Sequence, residues 1–324
     1  MKRVIFAAAF AAASLGLAAP ASAADPYPAR TVSLVVPYPA GGSVDGVARI
    51  LAQKLGEAFN ANFIVENRAG GAGGTVGANT VAKANPDGYT LLLTASIHVT
   101  TPFLFKNIPY DVVKDFAPIS LVAAGPLVVS TANNVPANTL KEFFELVRKT
   151  PDKFTFATSG FGSAGHLAIE LLKRRAGVNT LVISYKGAGP MLNDIMAGQI
   201  QLIADPMLSS LPLAQSKKIK ALAITSLKRV ASAPEIPTVE ESGLEPLEFE
   251  SWYGLWGPKN LPADIIGKLH QKTVEVLKDP EVKKRLSTLG FEAKSSTPEE
   301  FAKFIDKEMA TYSQIIKDAN IKTE

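Results

Sequence analysis

The sequence predicts an α/β protein of two domains, each a mainly parallel sheet with helices on both faces. Three observations predict it. Short apolar strands alternate with helices along most of the chain, the pattern of a parallel sheet covered on both sides. A Gly/Ser-rich turn follows a strand and opens a helix twice, at 39–45 and at 159–166. The 324 residues have ordinary globular composition, 47% hydrophobic and 20% charged, and that length suggests two domains of about 150 residues.

The N-terminus reads as an address. Lys2-Arg3 is a basic start, Val4 to Ala19 is apolar and Ala-rich, and Ala21-Ser22-Ala23 is a small-x-small site behind Pro20. These are the parts of a secretory signal peptide, with cleavage expected after Ala23. A membrane anchor is the competing reading. The apolar run of about 16 residues contains Ser14 and Gly16, however, whereas a spanning helix takes about 20. The expected product is exported to a periplasm and is not inserted in the membrane. The chain has no cysteine, which excludes disulfides, Cys-ligated zinc, thiol catalysis and a lipid-modified N-terminal Cys. Its formal charge of +4 includes Lys2 and Arg3 of the leader. No basic block is interleaved with aromatics, so no nucleic-acid partner is expected.

Thr31 to Pro37 reads as a strand, Val44 to Ala58 as a helix and Asn62 to Glu66 as a strand. A Gly-rich turn and a helix through Lys83 follow. Pro86-Asp87-Gly88 turns the chain into a buried strand, Tyr89 to Thr94. A second unit starts near Leu121, with strands at Leu127 to Thr131, Phe154 to Thr158, Leu181 to Tyr185, Gln201 to Ala204 and Ala221 to Thr225. Its helices are Leu140 to Lys149, Gly165 to Ala176 and Pro190 to Ala197. From about Glu245 the pattern changes. Trp252, Tyr253, Leu255 and Trp256 form an aromatic strand, and amphipathic helices at Ala263 to Lys278, Pro280 to Leu289 and Pro298 to Ala319 close the chain. A helical tail of this size must pack somewhere, and the first unit has fewer helices of its own. Domain 1 is therefore expected to be discontinuous, 24–121 plus 250–324, with domain 2 at 122–249. The chain would cross twice, near Ser120–Ala124 and near Glu248–Ser251.

The first turn is Pro39-Ala40-Gly41-Gly42-Ser43-Val44-Asp45. Glycines allow close backbone approach, and a helix start offers free N–H groups and a partial positive charge to an anion. The competing reading is a plain cap, made by Ser43 or Asp45. The second turn is Ser159-Gly160-Phe161-Gly162-Ser163-Ala164-Gly165-His166. Gly160, Gly162 and Gly165 match the dinucleotide fingerprint, which also wants an acidic residue about 20 positions on. The next strand instead ends in Tyr185-Lys186-Gly187, so no nicotinamide cofactor is expected, nor any other. A smaller anion such as a carboxylate suits the same physics. With one such turn in each domain, at the carboxyl ends of strands, the pair forms a two-jawed clamp that domain closure would bury.

Catalysis has little support. His270 reads as a surface residue of a tail helix, His98 follows the strand end Thr94-Ala95-Ser96 at the border of the cleft, and His166 stands in the first turn of its helix. No G-x-S-x-G elbow surrounds Ser163, and metal spacings such as H-E-x-x-H are absent. No enzyme is expected.

YPAGGSVD at 38–45, VENRAGGAGGTVGANTVAKANPDGYTLL at 65–92, YDVVKDFAPIS at 110–120, SGFGSAGHLAIELLK at 159–173, YKGAGPMLNDIMAGQI at 185–200, IPTVEESGL at 236–244 and Trp252–Gly257 occur in that order. In these segments the chain resembles the Bug family of extracytoplasmic solute receptors, the substrate-binding proteins of tripartite tricarboxylate transporters. The resemblance covers the whole chain after the leader. It implies a type II periplasmic-binding-protein fold, with a carboxylate held in the cleft by loop amides, hydroxyls and waters rather than by an arginine. It places Tyr38, Ala40, Gly41, Gly42, Ser43 and Asp45 on the domain 1 loop. Ser159, Gly160, Gly162, Ser163 and His166 fall on the domain 2 loop, and Thr94–Ser96 and Ala204-Asp205 flank the cleft. Phe161 and Asp205 fall where family members vary with their ligands. Asp205, Lys186, Tyr38, Phe161 and His98 are candidates to read the far end of the ligand. Asp205 has two readings: a carboxylate facing the cleft and favouring an amino group, or a turn residue before Pro206 that points to solvent or to a backbone N–H. The implied partners are a small carboxylate (dicarboxylate, aromatic acid or amino acid) and a membrane permease. A signalling protein in place of the permease is the alternative. The receptor itself is expected to be a monomer.

Overall fold

The computed structural model describes residues 27–322; the leader and its expected cleavage after Ala23 lie outside them. Val32–Val36 (β1) leads to Ser43–Phe59 (α1), Phe63–Asn67 (β2), Thr75–Ala82 (α2), Thr90–Ala95 (β3) and Ile97–Leu104 (α3). β1 pairs in parallel with β2 and β3. Their side chains alternate as a covered sheet requires. Leu34, Val36, Leu91 and Leu93 enter the core that α1 covers with Val47, Leu51 and Leu55, while Val35 and Leu92 enter the core of the opposite face.

Phe116–Thr131 (β4) then runs antiparallel to Glu250–Pro258 (β9), pairing with it from Phe116 to Pro126. At Leu127 β4 changes partners. To Thr131 it pairs antiparallel with Leu202–Pro206 (β7) and Lys220–Ile224 (β8). The intervening chain forms Leu140–Lys149 (α4), Phe156–Thr158 (β5), Ala164–Ala176 (α5), Val182–Ser184 (β6), Ala188–Met196 (α6) and Met207–Gln215 (α7), with β5 parallel to β6 and to β7. The sheet order is thus β2-β1-β3-β9-β4-β7-β5-β6. Its first half surrounds β1 and its second half surrounds β5. Each half is a parallel layer, and the two are joined by antiparallel strands.

The tail returns to the first half. Ala263–Lys278 (α8) packs on α1, Pro280–Thr288 (α9) follows, and Glu292–Ala293 (β10) pairs with β4. Pro298–Asp318 (α10) lies across α3, β4 and α5. It starts with a capping box between Thr297 and Glu300. It is pinned to β9 by the Trp252 indole N–H, which donates to Glu308 Oε2 and to the Tyr312 hydroxyl, each at 2.9 Å.

Most expected elements stand within two or three residues of their predicted bounds. Three differ. The strand expected at Leu127–Thr131 begins at Phe116, because Pro118 and Pro126 look like breaks; two register shifts opposite β9 accommodate the first of them. α3 was not expected, since Thr100, Thr101 and Pro102 all disfavour a helix. α7 was hidden by Pro212 and a weak apolar pattern.

His98 on α3 is 1% exposed, against the expectation that it borders the cleft. Its ring lies 4.8 Å from Phe116, 5.5 Å from Trp256 and 5.6 Å from Tyr110, centroid to centroid, and its Nε2 has no partner. Burial pushes its pKa down to about 3, below the unfolded value of about 6.5. The unfolded chain therefore takes up a proton between those values that the folded chain refuses, so stability falls as pH falls through this window. Replacing His98 by Phe should reduce the stability lost between pH 7 and pH 5 by about 2 kcal/mol, read from urea melts. Equal losses in the variant and the parent would contradict a neutral buried His98.

Candidate functional site

The carboxyl ends of β1 and β3 in one half, and of β5 and β7 in the other, each run into a turn and a helix start. Around them the structure gathers residues of both predicted loops. Gly42 precedes α1 in extended conformation and no side chain caps the helix. The cap of the competing reading, from Ser43 or Asp45, is not made. Asp45 instead reaches back: its buried carboxylate accepts from the Gly41 N–H at 3.0 Å, from Asn67 Nδ2 at 3.0 Å and from Arg49 Nε at 2.9 Å. Those partners hold its pKa below the usual carboxylate range against the opposing effect of burial. Asp45 therefore fixes the loop, and Ser43 stands free at the open helix start. Ala40 and Gly41 are exposed.

Tyr38 turns inward, its hydroxyl 2.9 Å from Thr94 Oγ1 at the end of β3. The next residues of that strand end lead into α3, where Ser96 is buried and its N–H donates to the Trp252 carbonyl. Tyr253, on β9, was assigned no site role from sequence. Its buried hydroxyl accepts from Ser251 Oγ at 3.2 Å and lies within reach of Ser43, and the Asp205 charge helps burial raise its pKa. This phenol thus lies near residues of both halves.

In the second half, Ser163 caps α5 by accepting from the His166 N–H at 3.3 Å and lies 2.8 Å from Thr158 Oγ1. The Gly162 N–H donates to His166 Nδ1 at 3.0 Å, which fixes that nitrogen as unprotonated. Burial, then the Lys173 charge, pushes the His166 pKa down to about 4. The imidazole is neutral and serves the loop. Phe161 packs against it, tilted, with centroids 4.9 Å apart and meets Phe105 of the first half at 5.8 Å. Gly162 has φ +79°, and a Cβ there would lie 2.3 Å from Leu104 of α3; glycine is required on both counts. Its carbonyl accepts from Thr100 Oγ1, also on α3, at 2.9 Å. Ile97 of α3 lies beside Gly160.

Asp205 ends β7 and is 2% exposed. It points neither to solvent nor to a backbone N–H. Its Oδ1 accepts from Ser159 Oγ at 3.0 Å and its Oδ2 from Ser209 Oγ on α7. Burial pushes its pKa up to about 6, and the two hydroxyls only partly offset that. Lys186 is exposed on the neighbouring loop, whose Gly187 N–H donates to the Ser159 carbonyl.

Ser43 of the first half and Asp205 of the second both lie near Tyr253, with Ser159 bonded to Asp205 and Tyr38 to Thr94. Asp45, Gly162, Ser163 and His166 are spent on holding the two turns, and His98 sits in the core. A groove of about 570 Å³ lies elsewhere, lined by Asn133, Lys217, Lys220 and Glu235; its residues carry no link to either turn. Among the described residues no group of three His, Asp or Glu is placed to hold a metal, and no helix is long and apolar enough to cross a membrane.

The Ser163 hydroxyl already serves its own helix. Ser163→Ala should lower stability by about 1 kcal/mol through loss of the cap, read as a lower melting temperature. An unchanged melt would mean that the cap contributes nothing.

The chain matches the family described as "Tripartite tricarboxylate transporter family receptor" over residues 47–321. It is 34% identical to the protein BugT of Bordetella pertussis, covering 96% of this chain and 95% of that one. It is 36% identical over 83% of its length to a protein of Agrobacterium vitis encoded in the ttuE-ttuC' intergenic region, 78% of which is covered. Among solved structures, the periplasmic binding protein BugD superposes with a TM-score of 0.85 at 38% identity, covering 92% of this chain and all of that one. A protein of R. palustris solved with adipate gives a TM-score of 0.88 at 31% identity, with the same coverage. MatC from Rhodopseudomonas palustris, with bound malate, gives 0.82 at 31% identity over 90% of this chain and all of that one. These are solute-binding receptors, not enzymes, and their two-domain α/β fold is the one described above. The chain belongs to the tripartite tricarboxylate transporter receptor family, that of the Bug periplasmic solute-binding proteins.

Proposed function

We propose that this receptor closes on a small organic carboxylate and delivers it to the membrane permease of a tripartite tricarboxylate-type transporter. The observation that carries the reading is the open start of α1. Its first N–H groups face no side-chain cap, the Ser43 and Tyr253 hydroxyls stand near it, and among the described residues no lysine or arginine bonds either hydroxyl. Arg49, the nearest in sequence, is committed to Asp45. Free N–H groups at the positive end of a helix dipole, joined by neutral hydroxyls, suit one carboxylate. The bound adipate and malate of the two R. palustris proteins support the ligand class.

The two halves of the sheet act as two domains in this reading. The chain passes between them near Pro126 and near Phe249, close to the division expected at 121/122 and 249/250. Contacts across the halves, Thr100 to Gly162 and Leu208 beside Gly46, belong to the closed form, which bound ligand favours, and are parted in the open form that admits it. The protein acts as a monomer in the periplasm after cleavage behind Ala23.

A thermal-shift screen over mono-, di- and tricarboxylates tests the ligand class. A true ligand at 100 times its dissociation constant should add about 2.7 kcal/mol. Small-angle scattering with that ligand should show a smaller radius of gyration. Stabilisation without any change in radius would count against closure, and no stabilisation by any carboxylate would count against the ligand class.

A further inference from the structure

α3 belongs to the first half but carries a stripe for the second. One side of it is fixed in the first half by His98, boxed by Phe116, Trp256 and Tyr110. Just ahead of the helix, the Ser96 N–H donates to the Trp252 carbonyl. Ile97, Thr100 and Leu104 stand at i, i+3 and i+7 and so share another side. All three meet the turn at 160–162. A Cβ at Gly160 would lie 3.6 Å from Ile97 Cδ1, and one at Gly162 would lie 2.3 Å from Leu104 Cδ1. Thr100 Oγ1 lies 2.9 Å from the Gly162 carbonyl oxygen. Phe105, just past the helix, meets Phe161 edge-on with centroids 5.8 Å apart. None of these contacts needs a ligand.

The Thr100 hydroxyl has a second acceptor. Its Oγ1 is also 2.9 Å from the Ile97 carbonyl oxygen of its own helix. A hydroxyl has one proton to donate, so the two carbonyls share it while the halves touch. When the halves part, the hydroxyl turns wholly to Ile97, an ordinary bond from a helical threonine to the turn before it, and the Gly162 carbonyl takes water. Opening leaves no donor unpaired, so the cross-half bond forms and breaks at low cost.

We propose that α3 is a reversible latch, in which Thr100 turns its hydroxyl between the Ile97 and Gly162 carbonyls and holds the closed form before any ligand arrives. The proposal rests on the closure reading above and deepens it. Thr100 is a positioning residue: it bonds the loop, not the ligand. A binding-competent form that is populated only part of the time weakens every ligand by that fraction. Thr100 therefore sets affinity for all ligands alike and selects none.

Distance measurements on the ligand-free protein test it. The chain has no cysteine, so Val76→Cys in the first half and Leu181→Cys in the second, at positions 52% and 67% exposed, give a unique pair of spin labels. Pulsed dipolar spectroscopy should show two populations in the otherwise unaltered chain, one of them at the separation of the present structure. Thr100→Val keeps the branched shape and loses the proton. It should lower the closed-to-open ratio by about two- to tenfold, the loss of one hydrogen bond made only when closed. Thr100→Ser keeps the hydroxyl and should retain the starting ratio. If Thr100→Val does not fold, Thr100→Ala takes its place with the same expectation. A ratio unchanged by loss of the hydroxyl, or no closed population without ligand, would overturn the latch and leave the carboxylate reading standing. Calorimetry with succinate, adipate and L-malate adds a second readout. Each acid that binds should lose the same factor in Thr100→Val, and a loss confined to one acid would overturn the latch. If none of the three binds, the ligand-free ratio decides alone.

Discussion

The antiparallel pairing of β4 with β9 is the constraint on which the rest of the structure depends. These two strands belong to both halves of the sheet, so their register aims every residue at the junction. Close packing enforces the register. A Cβ at Gly125 would lie 2.4 Å from the Gly290 carbonyl, and one at Gly254 would lie 2.2 Å from the Phe301 ring. Only hydrogen fits at such distances, so glycine lets α10 and the segment before β10 lie directly on the strands. Alternation along β9 then does the sorting. Trp252 and Trp256 enter the core beneath α10, while Tyr253 and Leu255 face the α1 side. Tyr253 reaches the site because its neighbours must reach the core.

The site follows from how these halves hold charge. Each predicted turn contains a side chain that stabilises the turn itself: Asp45 holds the Gly41 N–H, and His166 holds the Gly162 N–H. With those groups satisfied internally, the loops are stiff before any ligand arrives, which lowers the entropy lost on binding. What stays open is the start of α1 and a set of hydroxyls. Neutral donors stabilise an anion without the long-range field of a lysine or arginine. Asp205 is the exception, a charge whose burial is compensated only by hydroxyls.

Much of the fold was legible in the sequence. The turns at Gly41-Gly42 and at Gly160–Gly165 announced themselves by composition, and strand lengths and helix bounds followed the apolar period. Elements governed by tertiary context were not legible. α3 carries β-branched residues and Pro102 in a helix that exists because Thr100 bonds the opposite loop and His98 fills an aromatic pocket. β4 contains two prolines, Pro118 beside a register shift and Pro126 where the strand is about to change partners. The site shows the same division. Sequence located both loops, and it left open whether Asp205 faced an amino group or solvent. It could not separate residues that face a ligand from those that hold the loop, since Asp45 and Ser43 differ only in where they point. Tyr253 gave no signal, because an aromatic strand reads as core and nothing local marks one hydroxyl as shared.

Tyr253 lies near both turns. Tyr253→Phe removes the hydroxyl and keeps the ring, which packs edge-on against Phe291 at 4.9 Å. Calorimetric titration of this variant with the acid that most stabilises the wild type tests most directly whether the ligand sits between them. If the ligand sits between the two turns, affinity should fall by about tenfold or more, the loss of one well-placed hydrogen bond in a buried site, with a melting temperature close to that of the parent. Unchanged affinity would contradict it and would place the ligand away from the junction of β9 with the two turns.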